Sequence, residues 1–483
     1  MKNLTKTTLA ACFVAVLLLW NGCKKDKDEP VSDNNNPPVL NVGADVTGMT
    51  DATSNLSVTA SDPDGDALQI TWNIIQSPVG SAAVITSTGM FTATFITSIP
   101  GLYKVEVVAD DGKGKNATGI LTLYIGGVLP NNISSNITYP NLFDNEDYPD
   151  YYALVSAQIT AGVTLEPGVV IELGSDVRLW FTGNSAYLNA EGTSTKNITF
   201  RGVDKVNGSW KTLHIASNNV NNKLNYVKIH HAGSSETSNQ KTALYLQSNT
   251  SAQLSIRNTT ITQSGGYALY VDGDHGNISE FSNNNFNDNE AAPMRIGAPN
   301  LFALDKNSVF LNNGIQAIEV AAPGNTANVF ENSGTVPALS VPYHSLSSFT
   351  IESKVTFEPG VTCLFDQSLR ILVTQSGTLI ADGTESQKIK FSGINQAPGS
   401  WKGIELTSSS ENIINYGIVE YGGSTTGRSA NIYLYGSPGA KLTITNSNIS
   451  DSQTWGIWVA PGNAILNESN NTFSNNALGD IKP

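Results

Sequence analysis

A column of outward-pointing side chains is the best candidate for chemistry in this sequence. Eight short segments share an apolar–variable–apolar pattern, of which Leu244-Tyr245-Leu246 is typical. In a β-strand the two apolar residues point to one side and the middle residue points to the other. If the apolar pairs face a core, the middle residues form one surface column: His214, Tyr245, Tyr270, Arg295, Glu319, Glu405, Tyr433 and Trp458.

This column has the composition of a sugar-binding surface. Sugar rings stack on aromatic faces, and their hydroxyl groups hydrogen-bond to neighbouring charged groups. The column therefore predicts a face that binds polysaccharide. The alternative is that aromatic residues occur there only because they suit an exposed sheet.

Four carboxylates near the N-terminus could bind a cation. Asp62, Asp64 and Asp66 lie in the segment SDPDGD, and the fourth ligand would be Asp111, or its neighbour Asp110, at the end of a predicted strand. Ca²⁺ requires several carboxylate oxygens at once, so these residues are candidate calcium ligands. Asp, Pro and Gly are equally the residues of a tight turn, and we favour the turn. No other cofactor is predicted.

Patterns for other catalytic chemistry are weak. His230 and His231 are adjacent in a predicted strand and should point to opposite faces, which argues against a shared metal site. The segment DGDHG, 272–276, could hold an acid and a base, but it also has the composition of a loop. Cys363 is expected to be a small buried hydrophobic residue. The sequence contains no phosphate-binding loop, nucleophile elbow or zinc-ligand spacing.

Residues 1–22 have the pattern of a signal peptide, with lysines ahead of a short apolar run. The Gly22-Cys23 junction resembles a bacterial lipoprotein cleavage site, which implies a lipid anchor on Cys23. Residues 23–36 would be a charged and polar tether, typical of a surface-exposed lipoprotein of the outer membrane. The alternatives are an ordinary cysteine in a secreted protein and, for the charged run, a merely solvated linker.

Charge argues against nucleic acid as a partner. The formal net charge is −14, and loss of Lys2 and Lys6 with the leader takes it to −16. A chain this acidic repels the phosphate backbone. Contact with a membrane is therefore expected through the lipid anchor alone.

The elements that must position these residues are strands. Residues 37–127 contain two clear alternating segments, ALQITWNI (67–74) and YKVEVVAD (103–110), which predict a β-sandwich. Together with SDPDGD and GLYKVEVVADDGKG, they resemble the PKD or cadherin-like Ig-fold domains. That resemblance implies a spacer module.

Residues 131–483 contain an internal duplication. The segment GSWKTLHI, 208–215, returns as GSWKGIEL, 399–406, which is 191 residues later. Further matched segments place the duplicated halves at about 155–300 and 341–483. A residue present in both halves is a poor candidate for a unique catalytic group. We therefore expect the GSWK segments, and the matched Glu-Pro-Gly segments at Glu166 and Glu358, to form corners and turns.

A shorter period within each half identifies the fold. Asn is followed three residues later by a large apolar residue at steps of 24 or 25 residues. The pairs are Asn258 with Ile261, Asn283 with Phe286, Asn307 with Phe310, Asn446 with Ile449, and Asn470 with Phe473. This period is typical of a solenoid. It resembles the right-handed parallel β-helix of the pectate-lyase-like group, which implies inward ladders of Ile and Phe with Asn at the corners.

The predicted fold is therefore all-β, an Ig-like sandwich followed by a large right-handed parallel β-helix. The predicted function is that of a surface-anchored, non-catalytic lipoprotein whose β-helix binds polysaccharide or another extracellular surface. The alternative is a polysaccharide lyase or glycoside hydrolase acting on the same face. Enzymes of the group it resembles use several carboxylates or an Arg on one outward face. Fold alone does not establish activity, so the site must decide. Two carboxylates in a groove near Arg295 would favour the enzyme.

Overall fold

The computed structural model describes residues 34–235, 240–247, 250–273, 275–322, 328–424 and 429–483. The predicted signal peptide, Cys23, most of the tether and Asp274 lie outside these residues. Apart from a 3₁₀ helix at Ala298–Ala303, the regular structure described below is β-strand. Within the described ranges, no helix is both long and apolar enough to cross a membrane.

The first nine strands form the N-terminal sandwich. They are β1 (Val39–Asn41), β2 (Val46–Met49), β3 (Ser54–Ser57), β4 (Thr59–Ser61), β5 (Gln69–Gln76), β6 (Val84–Gly89), β7 (Thr92–Ile96), β8 (Gly101–Asp110) and β9 (Asn116–Val128). Antiparallel β5, β8 and β9, joined by parallel β2, face the sheet β3-β7-β6. Phe95, Tyr103 and Val105 are fully buried between them, and Trp72 packs at the margin.

After β9 the chain winds into coils. Each coil places one strand on each of three faces, in the same order. The strands before the 3₁₀ helix are β10 (Asn132–Ile133), β11 (Ile137–Tyr139), β12 (Tyr151–Ala153), β13 (Ala157–Ile159), β14 (Gly162–Leu165), β15 (Val170–Leu173), β16 (Arg178–Thr182), β17 (Tyr187–Glu191), β18 (Ile198–Gly202), β19 (Thr212–Ala216), β20 (Lys223–Asn225), β21 (Val227–His230), β22 (Thr242–Leu246), β23 (Gln253–Arg257), β24 (Thr260–Thr262), β25 (Tyr267–Val271), β26 (Asn277–Ser282), β27 (Asn285–Asn287) and β28 (Met294–Ile296).

The coils continue in the same order beyond the 3₁₀ helix. The strands there are β29 (Ile318–Val320), β30 (Asn328–Phe330), β31 (Gly334–Val336), β32 (Tyr343–Ser345), β33 (Phe349–Ile351), β34 (Lys354–Phe357), β35 (Thr362–Phe365), β36 (Arg370–Val373), β37 (Thr378–Asp382), β38 (Ile389–Gly393), β39 (Gly403–Leu406), β40 (Asn412–Asn415), β41 (Gly417–Glu420), β42 (Ala430–Leu434), β43 (Lys441–Thr445), β44 (Asn448–Ser450), β45 (Trp455–Val459), β46 (Ile465–Ser469), β47 (Thr472–Ser474) and β48 (Gly479–Lys482).

Parallel pairing between successive coils builds three long walls. Face 1 is one sheet of 14 strands, β10-β13-β16-β19-β22-β25-β28-β29-β32-β35-β38-β41-β44-β47. Face 2 runs from β11 to β26, continues through the 3₁₀ helix, and resumes from β30 to β48. Face 3 runs from β12 to β27, continues through an isolated bridge between Asn285 and Val309, and resumes from β31 to β46. This is the arrangement of a β-helix, as the Asn period predicts.

The interior is filled by stacked apolar ladders. Phe286 is 0% exposed and lies 6.2 Å from Phe310, ring centre to ring centre. Phe473, its counterpart in the second half, is half-buried because β47 is the last described strand of its sheet. Burial is thus complete for Phe286 and partial for Phe473.

Asparagines turn the chain at the corners. Left-handed backbone is found at Asn258 (φ 47°), Asn283 (φ 53°), Asn446 (φ 53°) and Asn470 (φ 55°), while Asn307 is not among the left-handed residues. The side-chain nitrogen of Asn446 donates to the Asn415 side chain on the preceding coil (3.0 Å). Asn tolerates left-handed backbone, and its side-chain amide can hydrogen-bond to a side chain on the adjacent coil.

The repeated GSWK segments are corners, as the duplication predicts. Gly208 and Gly399 have φ of 68° and 79°, which favours glycine. Trp210 is fully buried, and its Nε1 donates to the carbonyl of His230 at 2.7 Å. The Nε1 of Trp401 likewise donates to the backbone carbonyl of Glu420 at 2.8 Å. These tryptophans are structural.

The second half is turned by one face relative to the first. The first GSWK segment leads into β19 on face 1, whereas the second leads into β39 on face 2. Likewise β18 lies on face 3 and its counterpart β38 on face 1. The matched segments are therefore separated by seven coils and one additional strand position. Equivalent residues of the two halves point in different directions from the solenoid.

The sandwich and the solenoid share a sheet. Beyond its pairing with β8, strand β9 pairs in parallel with β12, with Gly127 opposite Tyr151 and Val128 opposite Tyr152. At this junction Asp150 is completely buried, and its carboxylate accepts backbone N–H groups of Leu142 (2.6 Å), Phe143 (2.9 Å) and Val170 (2.7 Å). The Ig-like module is therefore continuous with the first coil.

Truncating Phe286 to Ala should be far more costly than truncating Phe473. A fully buried Phe loses about 3–5 kcal/mol through lost transfer energy and the cavity that remains. Phe473 is partly solvated already, so its loss should be well below that range. The measurement is the urea dependence of unfolding for Phe286→Ala and Phe473→Ala. Equal destabilisation by the two variants would contradict the assigned ladder.

Asp150 should give the junction a distinctive pH dependence. Burial raises the pKa of its carboxyl to about 6, against the opposing effect of its three backbone donors. Because the unfolded carboxyl titrates near 3.9, the folded state holds the extra proton between about pH 4 and pH 6. The contribution of Asp150 to the free energy of unfolding is therefore fully present below pH 4 and is lost as pH rises through 6. The loss is at most about 3 kcal/mol.

The test compares the unfolding free energies of the wild type and Asp150→Asn from pH 4 to pH 7. The advantage of the wild type should shrink as pH rises, since Asn cannot titrate. Glu385→Gln, at an exposed position, is the control and should show no such trend. A wild-type advantage that grows with pH would show that the buried carboxyl is stabilised as its anion.

Candidate ligand-binding surface

The predicted surface column is two ladders on two faces. His214, Tyr245, Tyr270, Arg295 and Glu319 lie in register on face 1, each opposite the next. The same column continues through His344 and Leu364 and does not reach Glu405. The remaining three residues form a separate ladder on face 2: Glu405, Tyr433 and Trp458. The prediction of one column is wrong because the second half is turned by one face.

The face-1 ladder is a continuous stack of aromatic and charged groups. Its ring centres are 5.8 Å apart between Trp180 and His214, 4.6 Å between His214 and Tyr245, and 5.9 Å between Tyr245 and Tyr270. The Arg295 guanidinium lies 5.7 Å from the Tyr270 ring centre. Sequence reasoning missed Trp180, although Leu179 and Phe181 flank it with the same apolar pattern.

Most of the face-1 ladder is closed to a ligand. The exposed fraction is 1% for Tyr245, 9% for Tyr270 and 5% for His214. The tyrosines pack with Tyr267 and Ala292 into a small core outside the solenoid wall. The expectation that Tyr245 and Tyr270 lie on the surface is therefore wrong.

Hydrogen bonds fix this outer core. The Tyr245 hydroxyl donates to Asp272 (2.8 Å), and the Tyr267 hydroxyl donates to Glu319 (2.7 Å). Burial, with the Glu319 hydrogen bond, raises the pKa of Tyr267 to about 12. Burial also lowers the pKa of His214 to about 4, so its ring is neutral at pH 7. These groups are locked by their partners in a way typical of structural polar networks.

The face-1 ladder offers little for acid–base catalysis. Arg295 forms an ion pair with Glu319 at 3.9 Å. Among the described residues, Arg295 forms an ion pair with no carboxylate other than Glu319. Asp272 is engaged by Tyr245.

The face-2 ladder is more open. Lys482 extends it in register with Trp458, and Arg370, Tyr435 and Trp455 lie beside it. Trp455 and Trp458 are partly exposed, although Tyr433 is only 6% exposed. The Lys482 ammonium lies 3.7 Å from the Trp458 ring centre, and Tyr433 packs edge-on against Trp458 at 5.2 Å.

Charged groups continue the face-2 ladder. Arg370 forms an ion pair with Glu405 at 2.9 Å, and the Tyr435 hydroxyl donates to the same carboxylate at 3.0 Å. Glu405 is thus anchored beside the aromatic residues. Partly exposed tryptophans with hydrogen-bonding groups at their side are the arrangement that stacks sugars. Sequence reasoning missed Trp455, whose position at the start of β45 does not follow the apolar–variable–apolar pattern.

Three of the four predicted calcium ligands lie together. Carboxylate oxygens of Asp62, Asp66 and Asp111 are all within 4.8 Å of one another. Asp64 is turned away and accepts the backbone N–H of Asn36 at 2.6 Å. Asp62 Oδ1 accepts the N–H groups of Asp64 (2.9 Å) and Asp66 (3.1 Å), which is the hydrogen bonding of an Asx turn.

A lysine side chain already supplies positive charge to this cluster. The Lys113 ammonium binds Asp66. Asp111 is buried, and it accepts the backbone N–H groups of Lys113 (2.7 Å) and Lys115 (3.0 Å). The observed contacts therefore account for this cluster as a turn, with Lys113 supplying the positive charge.

The histidine pair departs from its predicted geometry. Strand β21 ends at His230, and His231 lies at a left-handed corner with φ of 64°. Their ring centres are 5.9 Å apart, so they do not point to opposite faces of one strand. The Nδ1 atom of His230 is bonded instead to Thr262 (2.8 Å). Burial lowers the pKa of His230 to about 4.

Two structural interpretations from the sequence agree with the contacts. Cys363 is 1% exposed and unpaired, and burial raises the pKa of its thiol. Glu166 and Glu358 each accept one backbone N–H from the coil below, from Asn141 (3.3 Å) and Ala338 (3.1 Å). The two acids therefore hold turns.

Comparison with known proteins identifies the N-terminal module. Residues 35–124 match the family model described as a bacterial Ig domain. One solved structure is described as a nucleoside hydrolase-related hypothetical protein from Saccharophagus degradans associated with carbohydrate metabolism. It is 22% identical over 19% of this chain and 26% of that chain, with a TM-score of 0.17. No curated protein matches the sequence. The N-terminal module is thus similar to bacterial Ig domains, which indicates an extracellular or surface protein.

Proposed function

We propose that this protein is a non-catalytic surface protein whose solenoid binds polysaccharide through the face-2 ladder. The observation that carries the proposal is the partly exposed pair Trp455 and Trp458, with the Lys482 ammonium over the Trp458 ring. Exposed aromatic surface is what a sugar ring packs on. Because Lys482 covers one face of Trp458, that surface is the exposed part of Trp455 and the remaining exposed part of Trp458. Both tryptophans lie on β45, so their exposed parts form one patch at this end of face 2.

Charge favours a neutral polysaccharide. The whole chain carries a formal charge of −14, which disfavours an acidic polymer at long range. Locally, Arg370 is paired with Glu405, which leaves hydrogen-bond donors and acceptors side by side, and Lys482 lies over the Trp458 ring. Sugar hydroxyls can use both kinds of group.

The face-1 ladder has a different role in this proposal. Tyr270 and Trp458 are equivalent residues of the two halves, and each has a cation over its ring, Arg295 or Lys482. In the first half this arrangement is buried beneath an outer core, whereas in the second half it is partly open. The first ladder therefore stiffens its wall, and the second remains accessible.

Anchoring completes the proposal. Cys23, which lies outside the described residues, would carry the lipid that holds the protein to the outer membrane. The Ig-like module would then stand between the tether and the solenoid as a spacer. Because β9 belongs to both modules, that spacer would hold the solenoid in a fixed direction.

Replacing both Trp455 and Trp458 with Ala should weaken retention on a neutral polysaccharide. Each lost stacking contact is worth about 1 kcal/mol, or roughly fivefold in affinity. The measurement is affinity electrophoresis in gels containing xylan, mannan or β-glucan. Trp180→Ala removes a partly exposed aromatic from face 1 and is the matched control, with retention expected to be unchanged. Absence of retention of the wild type in every gel, or equal loss in the control, would refute the proposal.

Changing Cys23 to Ser should release the protein from membranes. Without the thiol no lipid can be attached, so the product should appear in the soluble fraction after cell lysis and ultracentrifugation. Cys363→Ser alters the buried cysteine and is the control, expected to remain with the membrane. A Cys23→Ser protein that still sediments with the membrane would show that the anchor lies elsewhere.

A further inference from the structure

We propose a second sugar-binding site, a polar pocket on face 3 at the sandwich end of the solenoid. The pocket has a volume of about 310 Å³. Its lining includes Asn141, Asp144, Glu146, Lys196, Asn197 and Lys228. It is separate from both ladders, so the inference stands independently of the function proposed for face 2.

The pocket wall is a built structure. The segment between β11 and β12, residues 140–150, folds over face 3. Arg201 holds this segment by donating to the carbonyls of Glu146 and Asp147, both at 2.9 Å, while it pairs with Glu172 at 3.0 Å. The Arg201 side chain is only 12% exposed. The loop is therefore fixed from below by a largely buried cation.

The floor is also held in place. Gly168 has φ of 100°, and its carbonyl accepts the side-chain amide of Asn141 at 3.2 Å when that amide is turned to face it. The same amide nitrogen then reaches the carbonyl of Phe143 at 2.9 Å. A Cβ at residue 168 would lie 3.0 Å from that amide, so glycine allows the close approach.

The duplicated half shows that the pocket is not a by-product of the fold. The counterpart of Lys196 is Gln387, that of Lys228 is Ile418, and that of Asn141 is Ala338. The corresponding connection, residues 337–342, is also shorter than 140–150. The second half retains the same turn with Ala and Ile in place of Asn141 and Lys228, while Gln387 and Lys388 stand in place of Lys196 and Asn197. Asn141 and Lys228 are thus additions to the first half.

The charges of the pocket point to a neutral ligand rich in hydroxyl groups. Lys196 pairs with Asp144, and Lys228 pairs with Glu146, both at 3.0 Å. An anion would have to displace two carboxylates, whereas a hydroxyl group can donate to a carboxylate and accept from an ammonium at once. The volume lies at the lower end of the range of roughly 300–1,000 Å³ for ligand sites. One or two sugar rings would fill it.

The test uses saturation-transfer NMR of the full chain with four neutral disaccharides: cellobiose, xylobiose, maltose and mannobiose. At least one should show transfer from the protein. The double variant Asn141→Ala/Lys228→Ile, which copies the residues of the second half, should weaken that binding at least tenfold. Its thermal unfolding should stay close to that of the wild type, because the same residues are accommodated at the equivalent turn.

Two controls separate this site from the face-2 ladder. Gln387→Ala changes the equivalent turn of the second half and should leave disaccharide binding unchanged. Trp455→Ala/Trp458→Ala should also leave it unchanged, while Asn141→Ala/Lys228→Ile should leave polysaccharide retention unchanged. No transfer from any of the four disaccharides, or equal binding by the double variant, would overturn the inference.

Discussion

Parallel pairing of each strand with its counterpart one coil away is the constraint on which this structure depends. With three strands per coil, pairing fixes both the face on which a residue lies and whether it points inward. Tyr245 lies opposite Tyr270 because β22 pairs with β25, and Arg295 follows because β28 pairs next. One additional strand position between the halves therefore moves every later residue to the next face. The separation of the two ladders follows from this shift.

The sequence predicted what depends on local pattern. Alternation identified which side chains point outward from the sheets. Asn at four of the five repeated positions identified corners with left-handed backbone. It could not predict the turn of the second half, since that depends on strand positions taken by a 3₁₀ helix and by Val309, neither of which has a strand pattern. It also could not predict the burial of Tyr245, because Asp272 and Tyr267 cover it from turns and strand ends.

Duplication separates structural residues from candidates for function. Groups retained in both halves, such as Trp210 with Trp401 and Glu166 with Glu358, make equivalent structural hydrogen bonds. The candidate sites lie where the halves differ. Trp458 in the face-2 ladder is partly exposed where its counterpart Tyr270 is buried, and the face-3 pocket has Asn141 and Lys228 where its counterpart has Ala and Ile. One solenoid could in this way hold two sugar sites facing different directions.

A crystal structure of the solenoid with its Ig-like module would test the turn between the halves most directly. The account predicts electron density in which β19 and β41 belong to one continuous parallel sheet. The strand after the second GSWK segment, β39, should lie in the neighbouring sheet with Trp458 beside Lys482. A structure in which β19 and β39 share a sheet would restore the single column from His214 to Trp458. That result would contradict the account of two ladders.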